Sequence, residues 1–458
     1  MANSNNTILN FIKFSLLYTW DCKRYFDTQI QSKYVVERLG KHIVEETEKI
    51  KPFDCPDDDF YILGVANDKG MFDAYVEKGK NIKQAYKKVK DGFIAYNPYR
   101  VNVGSIGIKT KELKHNLISP AYVVFSCRDT VLPEYIFLLM KTSVFNKLIR
   151  DNTTGSVRQT LSFERLKDIL IPVPSLSEQK KLVEKYNKQM KQVDECEKKA
   201  EEIRKNIDEK ILNLFGCKVH EAKQNNEILH FQKLSELLNW SVDLNFNTTS
   251  PQNIFNTNKF YKKTISEIAE INPQTEYPKN IEEITFLPME CISELYGEIA
   301  EKRQGIVSKT KGYTKFQDDD VLWAKITPCM ENGKSVVAKG LLNGYGYGST
   351  EYYVIRVDKK QVIPEYVYCF LRMKLVRNIA QTYFSGSAGQ QRVRKEFLEN
   401  LAIPVIPIKS LNSNELTQEK IVSMVFNYQN QMRALNEKSL VLRQQAQQEF
   451  EEAVFSEA

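Results

Sequence analysis

The sequence predicts an α+β protein with two tandem domains, each followed by a long helix, and with the two helices packed on each other. Three observations carry this reading. The 458-residue chain is two to three times the length of a common domain, so it holds more than one. Its two halves repeat one another. Each half also closes on a long heptad-patterned stretch that contains no Pro or Gly.

The repeat is plainest when residue 5 is set against residue 225. Asn5, Asn6, Ile8, Leu9, Phe11, Lys13, Ser15, Leu17 and Trp20 then meet Asn225, Asn226, Ile228, Leu229, Phe231, Lys233, Ser235, Leu237 and Trp240, nine identities in sixteen ungapped positions. Farther on, Pro133-Glu134-Tyr135 matches Pro364-Glu365-Tyr366, and Gly155, Ser156 and Gln159 match Gly386, Ser387 and Gln390. Ile171-Pro172 matches Ile403-Pro404, and Gln179 matches Gln418 after an insertion around Leu411–Glu415. Two domain-sized collinear blocks indicate a duplication and not a solenoid.

The helical stretches follow. Leu182, Tyr186, Val193, Cys196, Ala200, Ile203, Ile207 and Leu214 alternate in four-three spacing, broken by Gln189 and Lys210. Ile421, Val425, Tyr428, Met432, Leu435, Leu442, Ala446 and Ala453 do the same, broken by Ser439 and Glu449. A sustained seam of this kind predicts a coiled coil. Before each helix, Phe60–Val65, Gly92–Tyr96, Tyr122–Phe125, Thr285–Met289, Val321–Ala324 and Tyr352–Val357 read as strands. Pro133–Lys147 and Pro364–Ile379 read as single helices that start on Pro.

Composition excludes several classes. The chain is 42% hydrophobic and 27% charged, with 19 Gly and 15 Pro, which is neither disordered nor collagen-like. No apolar run approaches the length of a membrane span, so no membrane partner is expected, and the N-terminus does not read as a signal peptide. Eight Cys without a CxxC pair fit a reducing cytoplasm. Cys217 and His220 form a C-x-x-H without a second ligand pair, short of a zinc site.

The formal charge of +7 is modest, but it is concentrated. Residues 78–90 hold Lys78, Lys80, Lys83, Lys87, Lys88 and Lys90 with no acid before Lys90. Residues 302–315 hold Lys302, Arg303, Lys309, Lys311 and Lys315 with none. Each stretch precedes a corresponding strand, Phe93–Tyr96 or Val321–Ala324. Such segments suit phosphate contact, which gives affinity without sequence information. Asn97, Tyr99, Arg100 and Asn102 follow the first strand; Lys325, Thr327, Asn332 and Lys334 follow the second. These types can supply the directional bonds that base reading needs.

Catalytic motifs fail on inspection. Asn97-Pro98-Tyr99 lacks the second Pro of the amino-methyltransferase loop. Gly344, Gly346 and Gly348 lead into a strand and open no helix, and Gly333-Lys334-Ser335 has Pro328 where a P-loop needs Gly. Glu112 and Lys114 have E-x-K spacing, but the nearest Pro-Asp pair lies far upstream at Pro56-Asp57. The four His do not recur across the repeat. No catalytic, cofactor-binding or metal-binding residue is expected in this chain.

With these residues in view, the sequence resembles a specificity subunit of a type I restriction–modification system. The resemblance rests on the tandem layout and on short motifs in order. In the first unit these are Asn97-Pro98, Arg100, Asn102 and Val103-Gly104-Ser105-Ile106-Gly107. In the second they are Ile326-Thr327-Pro328-Cys329-Met330-Glu331-Asn332-Gly333-Lys334 and Gly348-Ser349-Thr350-Glu351-Tyr352. Leu176-Ser177-Glu178-Gln179 opens the first spacer helix, whereas the second unit has Thr417-Gln418 in place of Glu-Gln. The resemblance implies a non-catalytic protein with two target-recognition domains, separated by two spacer helices packed as an antiparallel coiled coil.

On that layout, residues 1–174 form the first target-recognition domain and 175–215 the first spacer helix. Residues 216–239 connect the repeats, 240–407 form the second domain, and 408–458 the second spacer helix. Each domain would read one half of a bipartite, asymmetric site on double-stranded DNA. The implied partners are two modification (methyltransferase) subunits, which bring S-adenosylmethionine and methylate adenine, and restriction subunits, which bring ATP- and Mg-dependent translocation and cleavage in a prokaryotic cytoplasm. A helix of about 40 residues is roughly 60 Å long, enough to hold two readers about one duplex turn apart. Lys78, Lys80, Lys83, Lys87, Lys88, Lys309 and Lys311 are the expected phosphate contacts. Tyr99, Arg100, Asn102, Thr327 and Asn332 are the expected base-proximal residues, and Trp20 and Trp240 the expected core anchors. The alternatives are a specificity subunit of a methyltransferase–nuclease system without translocation, a stand-alone DNA-modifying or DNA-cutting enzyme, and a coiled-coil scaffold with no nucleic-acid role.

Overall fold

The computed structural model describes residues 30–67, 70–101, 104–152, 160–217, 250–386 and 390–455. The chain forms two compact units. One comprises the first 195 residues together with those from Lys438 onward, the other residues Cys196–Glu437. Trp20, Trp240, Asn102 and most of the connector lie outside the described residues, as does the 5–20 and 225–240 match.

The first unit contains strands β1 (Val36–Arg38), β2 (Ile43–Glu45), β3 (Lys49–Ile50), β4 (Asp59–Ala66), β5 (Gly70–Lys78), β6 (Tyr86–Lys88), β7 (Ile94–Tyr96), β8 (Ile106–Ile108), β9 (Leu117–Ile118), β10 (Val123–Cys127) and β11 (Leu170–Pro172). Its helices are α1 (Pro133–Met140), α2 (Ser143–Asn152), α3 (Phe163–Asp168) and the first half of α4 (Leu176–Phe215). The second contains β12 (Lys262–Thr264), β13 (Ala269–Ile271), β14 (Glu283–Leu287), β15 (Arg303–Ile306), β16 (Thr314–Gln317), β17 (Val321–Ala324), β18 (Ser335–Val337), β19 (Tyr345–Gly348), β20 (Tyr352–Val357), β21 (Phe384–Ser385), β22 (Arg392–Val393) and β23 (Ala402–Pro404). Its helices are α5 (Ile265–Ile268), α6 (Pro364–Arg372), α7 (Lys374–Gln381), α8 (Lys395–Asn400) and the first half of α9 (Gln418–Phe455).

The sheets repeat. An antiparallel sheet of order β2-β10-β7-β8 in the first unit corresponds to β13-β20-β17-β18 in the second. A mixed sheet runs β3-β6-β9-β4-β5, with β4 parallel to β9; its counterpart runs β16-β19-β14-β15, with β14 parallel to β19. A two-stranded ribbon, β1-β11 or β12-β23, leads into each long helix. The first unit adds the edge strand β3. The duplication read from the sequence is therefore a duplication of topology.

Local chemistry explains the elements. β7 and β17 are short apolar runs at sheet centres, and every residue in them is buried. Turns with Gly92 at φ +80° and Asp319 at φ +69° bring the chain into them. Each helix expected as one piece is two. The Thr142 hydroxyl donates to Leu139 O (2.7 Å) and accepts from Phe145 N (3.2 Å), which closes α1 and caps α2. Met373, with ψ 133°, breaks α6 from α7. At α4, Ser175 and Glu178 exchange side-chain and backbone bonds in a capping box. The second spacer helix, expected from residue 408, begins at Gln418. There the Thr417 hydroxyl caps Lys420 N (3.3 Å), and Asn412 N is held by the Ser410 hydroxyl (3.1 Å) in a turn upstream.

The two long helices pack antiparallel. In the first unit, Lys185 on α4 meets Glu449 on α9 at 2.8 Å, and Tyr186 packs edge-on to Phe450. In the second, Leu212 and Phe215 at the end of α4 share a core with Ile421 and Val425 at the start of α9. Both domain cores draw on both helices. Val183 of α4 and Phe450 and Val454 of α9 enter the first, with Tyr96, Phe125, Tyr135 and Phe145. Ile211, Leu212 and Phe215 of α4 and Ile421 and Val425 of α9 enter the second, with Trp323, Tyr366 and Phe370. No helix among the described residues is long and apolar enough to cross a membrane.

Trp323 is fully buried between the rings of Tyr353 and Phe397. Trp323→Ala is expected to destabilise the second unit by about 3–5 kcal/mol, read as a lower midpoint in urea unfolding. Arg392 of β22 grips Glu351 through two bonds of 2.8 and 2.7 Å, which holds Glu351 below the usual carboxylate range. A carboxylate lowered on folding contributes stability above its unfolded pKa and loses it as pH falls through the folded value. Corrected amide-exchange protection at Val393, whose N–H donates to Lys325 O, should therefore be full at pH 6 and drop below about pH 4. Unchanged protection in that acid window would show that the pair does not hold the strand.

Candidate nucleic-acid interface

The two basic stretches occupy equivalent places. Residues 78–90 run from the end of β5 through β6, and residues 302–315 run from β15 into β16; these join corresponding strands of the two mixed sheets. Each connection opens with a 3-10 turn, Gly79–Asn81 or Val307–Lys309. Lys80, Lys83, Lys309 and Lys311 are exposed on these connections.

Several expected phosphate contacts are already engaged. Lys78 pairs with Asp59 at 2.9 Å and donates to Asp57 O, and the Asp59 bond raises its pKa. Lys88 (2.7 Å) and Lys90 (3.4 Å) share Glu48, whose carboxyl is lowered chiefly by the Lys88 bond. Lys87 is a correction: it is buried, and its amine donates to Tyr122 O at 2.8 Å. Burial lowers its pKa, so it serves the sheet and is not presented to a duplex. In the second unit, Arg303 is matched by Glu301 and Glu290. Asp59, Glu48 and Glu290 come from other strands and turns, so a window along the sequence cannot reveal them; Glu301 is a sequence neighbour of Arg303.

The loops after β7 and β17 also match. Tyr99 is 57% exposed in a turn where its N–H meets Asn97 Oδ1 (3.0 Å), and Arg100 is exposed beside it. Leu161 N donates to Pro98 O, which fastens this turn to the segment leading into α3. In the second unit, Thr327 N donates to Gln391 O and Val393 N to Lys325 O, which fastens the turn to the segment leading into α8. The Thr327 hydroxyl is buried without a partner among the described residues. Asn332 is exposed, with its N–H on Pro328 O. Asn102 lies outside the described residues.

In the second unit, the basic stretch and the loop come together. Lys315 of β16, Lys325 after β17, Gln274, Thr275 and Thr350 line one open cavity of about 440 Å³. Lys315 sits over the Tyr277 ring (5.0 Å) and Lys325 over the Tyr353 ring (5.3 Å). The concavity presents ammonium, carboxamide and hydroxyl donors, a set suited to phosphate oxygens and base edges. Sequence reading noted Lys315 and Lys325 separately. It missed Gln274 and took Thr350 only as part of the Gly348–Tyr352 motif; the register of β13, β17 and β20 brings both near the two lysines. Among the described residues, no cluster of His, Cys, Asp and Glu could hold a metal ion.

Comparison with known proteins is consistent with this layout. The model of the type I restriction modification DNA specificity domain matches residues 66–208 and again 258–443. The chain is 42% identical over 147 residues to the type I restriction enzyme EcoEI specificity subunit of Escherichia coli, covering 31% of this chain and 24% of that one. It is 36% identical over 162 residues to the EcoAI specificity subunit of the same organism, covering 35% and 26%. The matched stretches thus span about a quarter of those relatives. A solved structure described as the basis of complex assembly and conformational transition of the type I R-M system shares the fold, at TM-score 0.53 and 15% identity, over 94% of this chain and 100% of that chain. With the family model matched twice and over most of its length, the chain belongs to the type I restriction–modification DNA specificity family.

Proposed function

We propose that this chain is the non-catalytic specificity subunit of a type I restriction–modification system, and that each unit reads one half of a bipartite, asymmetric site on double-stranded DNA. The observation that carries this reading is the duplicated reader. The two units repeat the same sheet order, with a lysine-bearing connection and a loop after the central strand at matching places. The loop residues differ, Asn97-Pro98-Tyr99-Arg100 against Lys325-Ile326-Thr327-Pro328, so the two units present different donors to bases.

In this reading, Lys80, Lys83, Lys309 and Lys311 meet phosphates, with smaller shares from the acid-paired Lys78 and Lys88. Tyr99, Arg100, Thr327, Asn332, Lys315 and Lys325 lie toward the bases. The chemistry belongs to the partners: two modification subunits that methylate adenine with S-adenosylmethionine, and restriction subunits that use ATP and Mg to translocate and cleave. The setting is a prokaryotic cytoplasm.

Mapping methylated adenines in cells with and without this gene tests the whole reading. A two-part motif with a fixed gap should vanish with the gene; a methylome that does not change sinks the proposal. Lys80→Ala with Lys83→Ala should weaken binding of the assembled complex to all duplexes alike. It should also flatten the log K against log salt slope by roughly 0.9 per lost contact. An unaltered slope would remove these two lysines from the interface.

A further inference from the structure

Gln179 and Gln418 are each fully buried at the foot of a long helix, and each makes the same three bonds. Gln179 Oε1 accepts from Leu132 N (2.8 Å), while Nε2 donates to Pro174 O (2.9 Å) and Thr130 O (3.3 Å). Gln418 Oε1 accepts from Ile363 N (2.9 Å), while Nε2 donates to Ile406 O (2.7 Å) and Gln361 O (2.9 Å). One carboxamide thus joins three backbone segments: the helix it sits on, the strand exit before that helix, and the turn that opens α1 or α6. Beside it, Tyr135 OH donates to Pro172 O and Tyr366 OH to Pro404 O, both at 2.8 Å.

Adhesion alone does not call for such a group. Apolar contact from Val183 or Ile421 already glues helix to domain, and it is non-directional. A buried amide is costly unless every bond is made, and once made it fixes direction. All its partners are backbone atoms, so the joint is indifferent to neighbouring side chains. The two short helices carry a second fastening. Ser143 N, at the start of α2, donates to Glu451 of α9 (2.8 Å), and Lys374 N, at the start of α7, donates to Asp208 of α4 (2.7 Å). Each domain is therefore held to the helix of its own repeat by a Gln and to the helix of the other repeat by a carboxylate.

We propose that Gln179 and Gln418 are positioning residues that set the angle of each recognition domain on its spacer helix, and so restrict the gap between half-sites to one length. This rests on the bipartite reading above. A domain freed from this joint pivots about the strand-to-helix link and reaches duplexes whose gap is a base pair longer or shorter. Its reading loops are untouched, so the half-site letters stay the same.

The test uses the full chain assembled with its modification subunits and a duplex library that holds both half-sites at varied gap lengths. Wild type should select one gap. Gln179→Met, which keeps the bulk and loses all three bonds, should lower the preference for that gap over its neighbours by roughly tenfold, about the value of one or two buried hydrogen bonds, with unchanged half-sites. Gln418→Met should do the same. Gln179→Glu, which keeps the acceptor and loses both donors, carries the test where the Met variant yields no soluble complex. A folded variant that keeps the sharp wild-type gap overturns the inference. Wild type that selects no two-part site overturns the reading beneath it instead.

Discussion

Neither domain core closes without both long helices. Phe450 and Val454 of α9 fill the first core, and Ile211, Leu212 and Phe215 of α4 fill the second. Fully burying one such side chain is worth about 1.5–3 kcal/mol, so each helix contributes several kcal/mol to a domain other than the one it follows in sequence. This dictates the helix faces. Each helix needs one stripe for its partner helix and another for a domain, and Val183, Ile211 and Phe215 lie off the heptad seam for that reason. It also explains why the seam tolerates Ser439 and Gln189: the helices are held by more than each other.

Much of this was legible in the sequence. β17 and β20 begin and end where the sequence predicts, because central strands bury nearly every residue, with Arg356 the half-buried exception, and leave little ambiguity of face. Gln179 and Gln418 matched by alignment, and the structure gives that match a chemical meaning. What was lost is what depends on distant partners. Thr142 and Met373 interrupt patterns that look continuous, since a cap or an extended residue costs nothing in periodicity. The start of α9 was hidden because the stretch from residue 408 lacks Pro and Gly, and only the Thr417 cap marks the boundary.

The candidate site was less legible, for the same reason. A lysine count over residues 78–90 treats all six alike, yet Lys87 supports the Tyr122 carbonyl and Lys88 and Lys90 share one carboxylate. Burial and pairing are decided by strand register, which brings Glu48 beside β6 from more than thirty residues away in sequence. Of the loop residues, Tyr99, Arg100 and Asn332 are exposed, the Thr327 hydroxyl is buried, and Asn102 lies outside the described residues.

The pairing of these basic edges limits how far the chain is felt. Where Asp59, Glu48, Glu301 and Glu290 offset their neighbours, alternating signs leave mostly short-range fields. Salt at physiological strength damps what remains within about 8 Å. On the proposed function, a duplex would sense the acid-paired part of this surface only when nearly touching it. Attraction from farther away would rest on the uncompensated part of the chain's +7 charge, which leaves the acid-paired edges to act only at contact.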